Sequence, residues 1–208
     1  MKNNFNLIAP VYDGLAKVVF GKKLKQIQTH FLPVISENAN VLIMGGGTGW
    51  IINELFNTGF KGKLTYVEAS ERMISLSKKN CSFNDSVEFI HGEESALPTD
   101  RKYDVIITNF FLDVFSEVRL DEVMMKLSEQ LNNDGIWICS DFQNTGRFGH
   151  QLLLWFMFKF FKIIAKLESR SLMNFDHKFK KIGHSRSENF TLMNGLIFSS
   201  VYTSERSL

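Results

Sequence analysis

VLIMGGGTGW, residues 41–50, places four glycines directly after an apolar run that is typical of a buried strand. The glycines stand at positions 45, 46, 47 and 49, and a helix-like segment follows them. Glycine allows a backbone to turn sharply and to lie against a ligand, and the free N–H groups at the start of a helix attract electron-rich groups. The stretch therefore predicts a strand, a tight turn and a helix that together contact a ligand.

The spacing of these glycines separates the nucleotide sites that such a turn can form. A dinucleotide site beginning at Gly45 needs a third glycine at position 50, where this chain has the bulky Trp50. A phosphate-binding P-loop needs a lysine after the glycines, and residues 48–51 contain none. The spacing therefore argues against NAD and against ATP.

What remains is the pattern G-x-G-x-G, formed by Gly45, Gly47 and Gly49, with Glu68 at the end of the next apolar run, KLTYVEAS. An acid at that position accepts hydrogen bonds from the two hydroxyls of a ribose. The combination predicts a nucleoside site, whereas the glycines alone also fit a tight turn without a ligand.

Composition predicts one cytoplasmic globular domain. The 208 residues are 44% hydrophobic and 22% charged, which is enough for a full core. Cys81 and Cys139 lie far apart without metal-ligand spacing, so neither a disulfide framework nor a metal site is expected. The first residues lack the apolar run of a signal peptide, and no stretch has the uncharged length of a membrane span.

Apolar runs that predict strands alternate with amphipathic patterns that predict helices. The predicted strands are 40–44, 63–68, 86–91, 103–109 and 135–141, and the predicted helices are 49–57, 70–79 and 116–131. Two late runs, 177–184 and 195–202, are expected to close the sheet as a hairpin. The pattern predicts a doubly wound, Rossmann-like α/β fold with seven strands, mostly parallel with an antiparallel C-terminal hairpin. Its ligand lies at the carboxyl ends of the strands, where Gly45, Glu68, Asn109 and Asp141 fall.

Five segments carry a family resemblance: VLIMGGGTG, VEAS, VEFIHGEESALP, YDVIITNFFLD and NNDGIWICSDF. Their order and spacing resemble those of class I S-adenosylmethionine-dependent methyltransferases, over about residues 5–142. The opening NLIAPVYDGL is similar to that of the ubiquinone and menaquinone C-methyltransferase group. The resemblance implies S-adenosyl-L-methionine as cofactor and methyl transfer as the reaction.

The resemblance also assigns roles to single residues. It implies that the glycine loop passes the methionine and ribose of the cofactor, that Glu68 binds the ribose hydroxyls and that Glu93 accepts from the adenine amino group. Glu93 as a solvated loop acid is the alternative. The full set of implied cofactor residues is Tyr12, Gly45, Gly46, Gly47, Thr48, Gly49, Glu68, Ala69, Glu93, Glu94, Ser95, Asn109 and Phe110.

One position departs from the family pattern. The family often carries an acid two residues before the first glycine, where it contacts the methionine ammonium, and this chain has Ile43 there. Tyr12 or Asp13, from an N-terminal segment folding over the site, is a candidate replacement, and a helix-capping role for Asp13 is equally open.

Methyl transfer from a sulfonium depends mainly on alignment in a dry pocket. A base is needed only if the acceptor is a neutral hydroxyl or an acidic carbon. The candidates near the strand edge are Asp113, His150 and Asp141, and for each a helix-capping or surface role is the alternative.

The best indication of the acceptor is residues 142–161, FQNTGRFGHQLLLWFMFKFF, which contain seven aromatics. With Lys159, Lys162 and Lys166 at helical spacing, they predict an amphipathic helix. The helix is interpreted as extra core, as a lid over a small apolar or aromatic acceptor, or as a peripheral membrane contact through 152–167. The predicted organisation is a helical cap (1–35), a cofactor-binding core (36–142), an aromatic lid (143–175) and sheet-closing strands (176–208) of one methyltransferase domain.

Three other functions stay open at this point. A nucleic-acid methyltransferase agrees with the excess of five positive charges in residues 151–208, but the segment lacks a dense Lys/Arg cluster, and Phe110 and Phe111 replace the prolines expected after Asn109. An aminopropyltransferase shares the glycine loop but needs a carboxylate where Asn109 stands. A non-catalytic S-adenosylmethionine-binding protein is mildly favoured by Ile43.

Overall fold

The computed structural model describes residues 19–165 and 173–205. Its centre is one sheet of seven strands in the order β3-β2-β1-β4-β5-β7-β6. Strands β1 to β5 run parallel to one another, and β7 runs antiparallel to both β5 and β6. The strands are β1 (Asn40–Met44), β2 (Lys63–Glu68), β3 (Val87–His91), β4 (Tyr103–Asn109), β5 (Leu131–Phe142), β6 (His184–Leu192) and β7 (Ile197–Ser204).

Helices cover both faces of this sheet. The described residues form α1 (Lys23–Thr29), α2 (Trp50–Asn57), α3 (Glu71–Asn80), α4 (Glu117–Gln130), α5 (Phe148–Ala165) and α6 (Phe175–Lys181). The side chains of β1 alternate between two cores: Val41 and Ile43 pack in the cluster with α2 and α3, whereas Leu42 and Met44 pack in the cluster with α4 and α6. This alternation is why a strand with no polar residue in its last four positions is stable here.

The predicted doubly wound α/β fold is confirmed, including its antiparallel C-terminal hairpin. Strands β1, β2 and β4 have the predicted bounds, whereas β5 extends beyond both of its predicted ends. The predicted division into cap, core, lid and closing strands stays a prediction.

The predicted strand at 177–184 is wrong, because most of that range belongs to helix α6 and the strand begins only at His184. The Asn174 side chain accepts a hydrogen bond from the N–H of His177 and so caps the helix. Phe175 and Phe179, four residues apart, bury the same helical face, and the ring of Phe179 stacks 3.7 Å from that of Tyr202. Tertiary burial of two phenylalanines outweighs the strand-like appearance of the segment.

Helix α5 confirms a helix within the aromatic segment. In the part of the chain that the structure covers, no helix combines the length and apolar character needed to cross a membrane.

Candidate active site

A cavity of about 240 Å³ opens at the carboxyl ends of the parallel strands. Its walls come from the loop after β1, the ends of β2 and β3, the loop after β4, and three side chains from helices, Gln28, Trp50 and Met73. In a parallel α/β sheet this edge is where ligands bind, because the connections on either side of it diverge to opposite faces.

The glycines of the loop serve two different purposes. A Cβ on Gly45 or Gly46 would collide with an aromatic ring, and one on Gly49 would come within 2.7 Å of a backbone atom of α3. At Gly47, which has φ of +65°, the nearest atom to such a Cβ is the Met73 Sδ at 3.9 Å. The other three glycines therefore permit packing inside the protein, whereas Gly47 keeps its side open to the cavity.

Glu68 joins the glycine loop to strand β2. Its Oε2 accepts a hydrogen bond from the N–H of Gly47 at 2.9 Å, and its Oε1 accepts one from the N–H of Ser70 at 2.8 Å. Burial raises the pKa of the Glu68 carboxyl, and the backbone donors oppose that rise. Each carboxyl oxygen has a second lone pair that can accept from a ligand hydroxyl.

The end of β3 forms the second polar wall. Ala69, Glu93 and Glu94 line the cavity, whereas Ser95 is exposed and lies off it. The buried Glu94 carboxylate accepts from Arg119 at 2.6 Å, and Lys126 lies 3.4 Å away. The guanidinium of Arg119 is also 3.6 Å from the Glu93 carboxylate. Glu94 is thus held in an ion-pair network, while the more exposed Glu93 lies at its edge.

The loop after β4 forms an aromatic wall. Phe110, Phe111 and Phe115 line the cavity there. Phe110 has φ of +50°, a conformation that costs a bulky residue about 1 kcal/mol or more. Its N–H donates to the carbonyl of Ser140 at 2.7 Å, and its ring packs 4.8 Å from the Phe142 ring. These contacts hold the strained backbone in place.

Asn109 precedes this wall and lines the same cavity. Its side-chain nitrogen and oxygen are both buried, and neither has a hydrogen-bond partner among the described residues. A buried amide without a partner is costly, and a ligand with a donor and an acceptor removes that cost.

Comparison with known proteins identifies the family of the domain. The family model of the methyltransferase domain matches residues 35–181. The chain belongs to the methyltransferase-domain family.

The relatives of this methyltransferase domain agree with that assignment. It is 32% identical to a malonyl-[acyl-carrier protein] O-methyltransferase of Priestia megaterium over 69% of this chain and 52% of the relative. It is 25% identical to a demethylmenaquinone methyltransferase of Staphylococcus epidermidis over 52% of this chain and 46% of that protein. The chain thus spans about half the length of these curated relatives.

The fold is also that of solved methyltransferases. Burkholderia thailandensis 1,6-didemethyltoxoflavin-N1-methyltransferase, solved with its substrate and S-adenosylhomocysteine, superposes with a TM-score of 0.71 at 13% identity. The superposition covers 97% of this chain and 86% of that one. The resemblance to class I S-adenosylmethionine-dependent methyltransferases is therefore confirmed, and S-adenosyl-L-methionine is the cofactor that the comparisons support.

The residues present fit this cofactor. Gly47 leaves space beside Glu68, Glu68 presents paired acceptors, and Asn109 has an amide that lacks a partner. Thr48 and Ala69 line the same space. The individual cofactor contacts stay predictions.

Residue 43, where the family often carries an acid, lies away from the cavity in this chain. Ile43 is buried in the core with α2 and α3 and does not line the cavity. Its candidate replacements, Tyr12 and Asp13, lie outside the described residues. Among the residues that are described, Gln28 and Asn109 bring neutral polar groups to the cavity.

Two of the three candidate bases lie together. The Asp141 carboxyl is fully buried, and its Oδ1 accepts from the N–H of Phe142 at 2.8 Å. Its Oδ2 is buried and has no hydrogen-bond partner among the described residues, and the nearby Asp113 carboxyl disfavours a second negative charge beside it. The third candidate, His150, bonds through Nδ1 to the Thr145 hydroxyl at 2.7 Å, and none of the three candidates is among the residues that line the cavity.

Burial raises the pKa of Asp113 to about 6 and raises the pKa of Asp141 well above its usual range. The folded chain therefore keeps protons that the unfolded chain releases above about pH 4. We expect the free energy of unfolding to fall by on the order of 2 kcal/mol between about pH 5 and pH 8 because of this pair. Urea titrations across this range measure the fall.

The comparison variant for this prediction is Asp141→Asn, which removes one titrating group and gives Asp113 an amide donor. Its stability should decline less with pH than that of the parent protein. Asp134→Asn, at an exposed position, is the matched control and should follow the parent curve. If the free energy of unfolding falls equally with pH in all three proteins, Asp113 and Asp141 do not hold an extra proton in the folded state.

Sequence reasoning missed several residues of the cavity. They are Gln28, Met44, Trp50, Val67, Met73, Gly92, Phe111, Val114 and Phe115. Phe111 and Phe115 had a usable signal, since they follow a strand end that was already assigned to the site edge. Gln28 and Met73 had none, because they reach the cavity from helices that only the tertiary fold brings there.

Proposed function

We propose that this chain transfers the methyl group of S-adenosylmethionine to a small apolar or aromatic acceptor. The observation that carries the proposal is one cavity lined by two unlike kinds of residue. Glu68 and the open side of Gly47 give it a polar part, and Phe110, Phe111 and Phe115 give it an aromatic wall. The cofactor supplies an electrophilic methyl group when it is bound.

The residues of the aromatic wall support acceptor binding by burial and alignment. Aromatic walls exclude water and restrict the orientation of a flat acceptor, which favours in-line displacement. The described residues that line the cavity include no Lys, Arg or His. A carboxylate or phosphate acceptor would have no cationic partner among them, so a neutral acceptor suits the cavity better.

A base acts only if the acceptor must lose a proton. Asp113 lies in the turn Leu112–Val114, between two residues of the cavity wall, Phe111 and Val114. A carboxyl whose pKa is about 6 is a suitable proton acceptor near neutral pH. Asp141 would then act as the positioning partner of Asp113, and His150 is the weaker candidate.

The relatives raise a second acceptor class. The Priestia megaterium relative is named for a malonyl group on an acyl-carrier protein. Such an acceptor ends in a carboxylate, for which the described cavity wall offers no counter-ion. The assay must nevertheless include it, because sequence identity favours it. Nucleic acid, aminopropyl transfer and cofactor binding without catalysis are the remaining alternatives.

The proposal is tested in two steps. Titration calorimetry with S-adenosylmethionine should show binding at one site per chain. Methyl transfer should then be detected with lipid-soluble phenols or quinones. It should not be detected with malonyl-acyl-carrier protein, with the amine precursors of spermidine or with nucleic acid. Turnover of the malonyl substrate alone would refute the proposed acceptor in favour of the malonyl group. Cofactor binding without turnover of any substrate would indicate a non-catalytic cofactor-binding protein.

A further inference from the structure

Between Phe148 and Met157, helix α5 carries large apolar residues on both of its sides, which is unusual for a helix at a protein surface. Its inner side is packed: Leu154 is buried, and Leu153 and Met157 are half-buried against the same cluster. This cluster also contains Phe20 and Phe142. The inner side therefore accounts for the stability of the helix on the domain.

The outer side of α5 carries four large apolar side chains in the open. Phe148 is 80% exposed, Phe156 58%, Trp155 49% and Leu152 46%. Their spacing of four, seven and eight residues from Phe148 places them along one helical face. We call these four residues the α5 outer face. Single exposed apolar residues are ordinary, but a continuous row of four on one helix indicates a contact surface.

The charged residues that accompany this face in the sequence have one sign. Arg147 is exposed at the start of the helix, and the Lys159 Nζ lies 4.2 Å from the centre of the Trp155 ring. Between Asp141 and Glu168 the sequence has four Lys or Arg and no Asp or Glu. A row of Trp, Phe and Leu edged by cations complements a surface that is apolar below and anionic above.

We propose that the α5 outer face binds the surface of an anionic lipid bilayer. The four side chains enter the boundary between headgroups and acyl chains, and Arg147 and Lys159 lie among the anionic headgroups. The contact is peripheral, since α5 lies along the surface of the domain with its inner side already packed.

This inference deepens the proposed function and rests on it for its biological meaning. Phe142, in the cluster beneath α5, packs against Phe110 of the cavity wall. An apolar contact path therefore runs from the inner side of α5 to the aromatic wall of the cavity. The protein would then encounter a lipid-soluble acceptor at the bilayer surface to which α5 binds.

Co-sedimentation with vesicles tests the inference. The parent protein should bind vesicles of phosphatidylcholine with phosphatidylglycerol far better than vesicles of phosphatidylcholine alone, and added salt should weaken that binding. The emission of exposed Trp155 should shift to the blue on binding, and Trp155→Phe should remove most of this shift while binding persists.

Two double variants separate the apolar from the electrostatic part. Trp155→Ser with Phe156→Ser should lower the partition coefficient by about tenfold or more, because it removes two of the four inserted side chains. Arg147→Glu with Lys159→Glu should abolish the preference for anionic vesicles. Val118→Ser with Met125→Ser, which changes two exposed apolar residues of α4, is the matched control and should bind as the parent does.

Three outcomes would overturn the inference. One is equal sedimentation with both vesicle types; another is unchanged binding by the Trp155 and Phe156 double variant. The third is a dimer, seen by sedimentation velocity without vesicles, that the same variant dissociates while the parent binds no vesicles. Calorimetry with S-adenosylmethionine on the same preparations keeps the two proposals separate, because cofactor binding without vesicle binding refutes only this one.

Discussion

Gly47→Val should abolish detectable binding of S-adenosylmethionine while leaving the sheet folded. A Cβ at this position meets no protein atom closer than 3.9 Å, so the first atom of the new side chain does not collide with the core. It enters the open side of the cavity, beside the Glu68 carboxylate. Displacing a ligand from such close backbone contact should lower its affinity by about 100-fold or more, which calorimetry measures directly.

Gly59→Val is the matched control for this change. Gly59 also has a positive φ, of +95°, and a Cβ there likewise meets nothing within 4 Å. Both variants therefore introduce the same kind of backbone strain, and both should lose a similar amount of thermal stability. Only the change at Gly47 should affect the cofactor. If both variants bind it like the parent, the loop is a turn and the ligand lies elsewhere.

Glu68→Ala should weaken S-adenosylmethionine binding by about 1–3 kcal/mol, or roughly 5- to 150-fold in Kd. The carboxylate is proposed to accept the ribose hydroxyls, and it also receives the N–H groups of Gly47 and Ser70. The substitution thus removes ligand contacts and loosens the loop that carries Gly47. Calorimetry reports the first effect, and thermal unfolding without cofactor reports the second.

Glu68→Gln distinguishes these two contributions, because it keeps the size of the side chain and one acceptor oxygen. Its affinity should fall between those of the parent and Glu68→Ala. Glu71→Ala, which removes an exposed carboxylate three residues away on α3, is the control and should leave Kd within about twofold. An unchanged Kd for Glu68→Ala would exclude Glu68 from the ribose site.

Sequence predicted those parts of the site in which the residue type at a position has one dominant structural explanation. Glu68 ends a buried strand, where an acid needs partners, and the loop glycines follow directly after another buried strand. The strand bounds around them were predicted correctly because near-continuous apolar runs leave few alternatives.

The parts that sequence did not predict depend on contacts between distant segments. The strand expected at 177–184 is a helix because Phe179 packs on Trp137 and Tyr202 and Phe175 packs against Phe198, all of them far from the helix in sequence or in another strand. Asp113 and Asp141 were separate candidates, and only the approach of the β4 loop to the end of β5 makes them neighbours, where burial raises the pKa of both carboxyls.

Sequence by itself determined the α/β fold class, the glycine loop and the acid that faces it. Periodicity and residue size decide these features, and both act within a few neighbouring residues. It could not tell that Gly45, Gly46 and Gly49 serve packing while Gly47 alone among the four faces open space. Nor could it tell which side of α5 is covered. Those facts depend on which distant surfaces approach within a few ångströms, and only tertiary packing decides that.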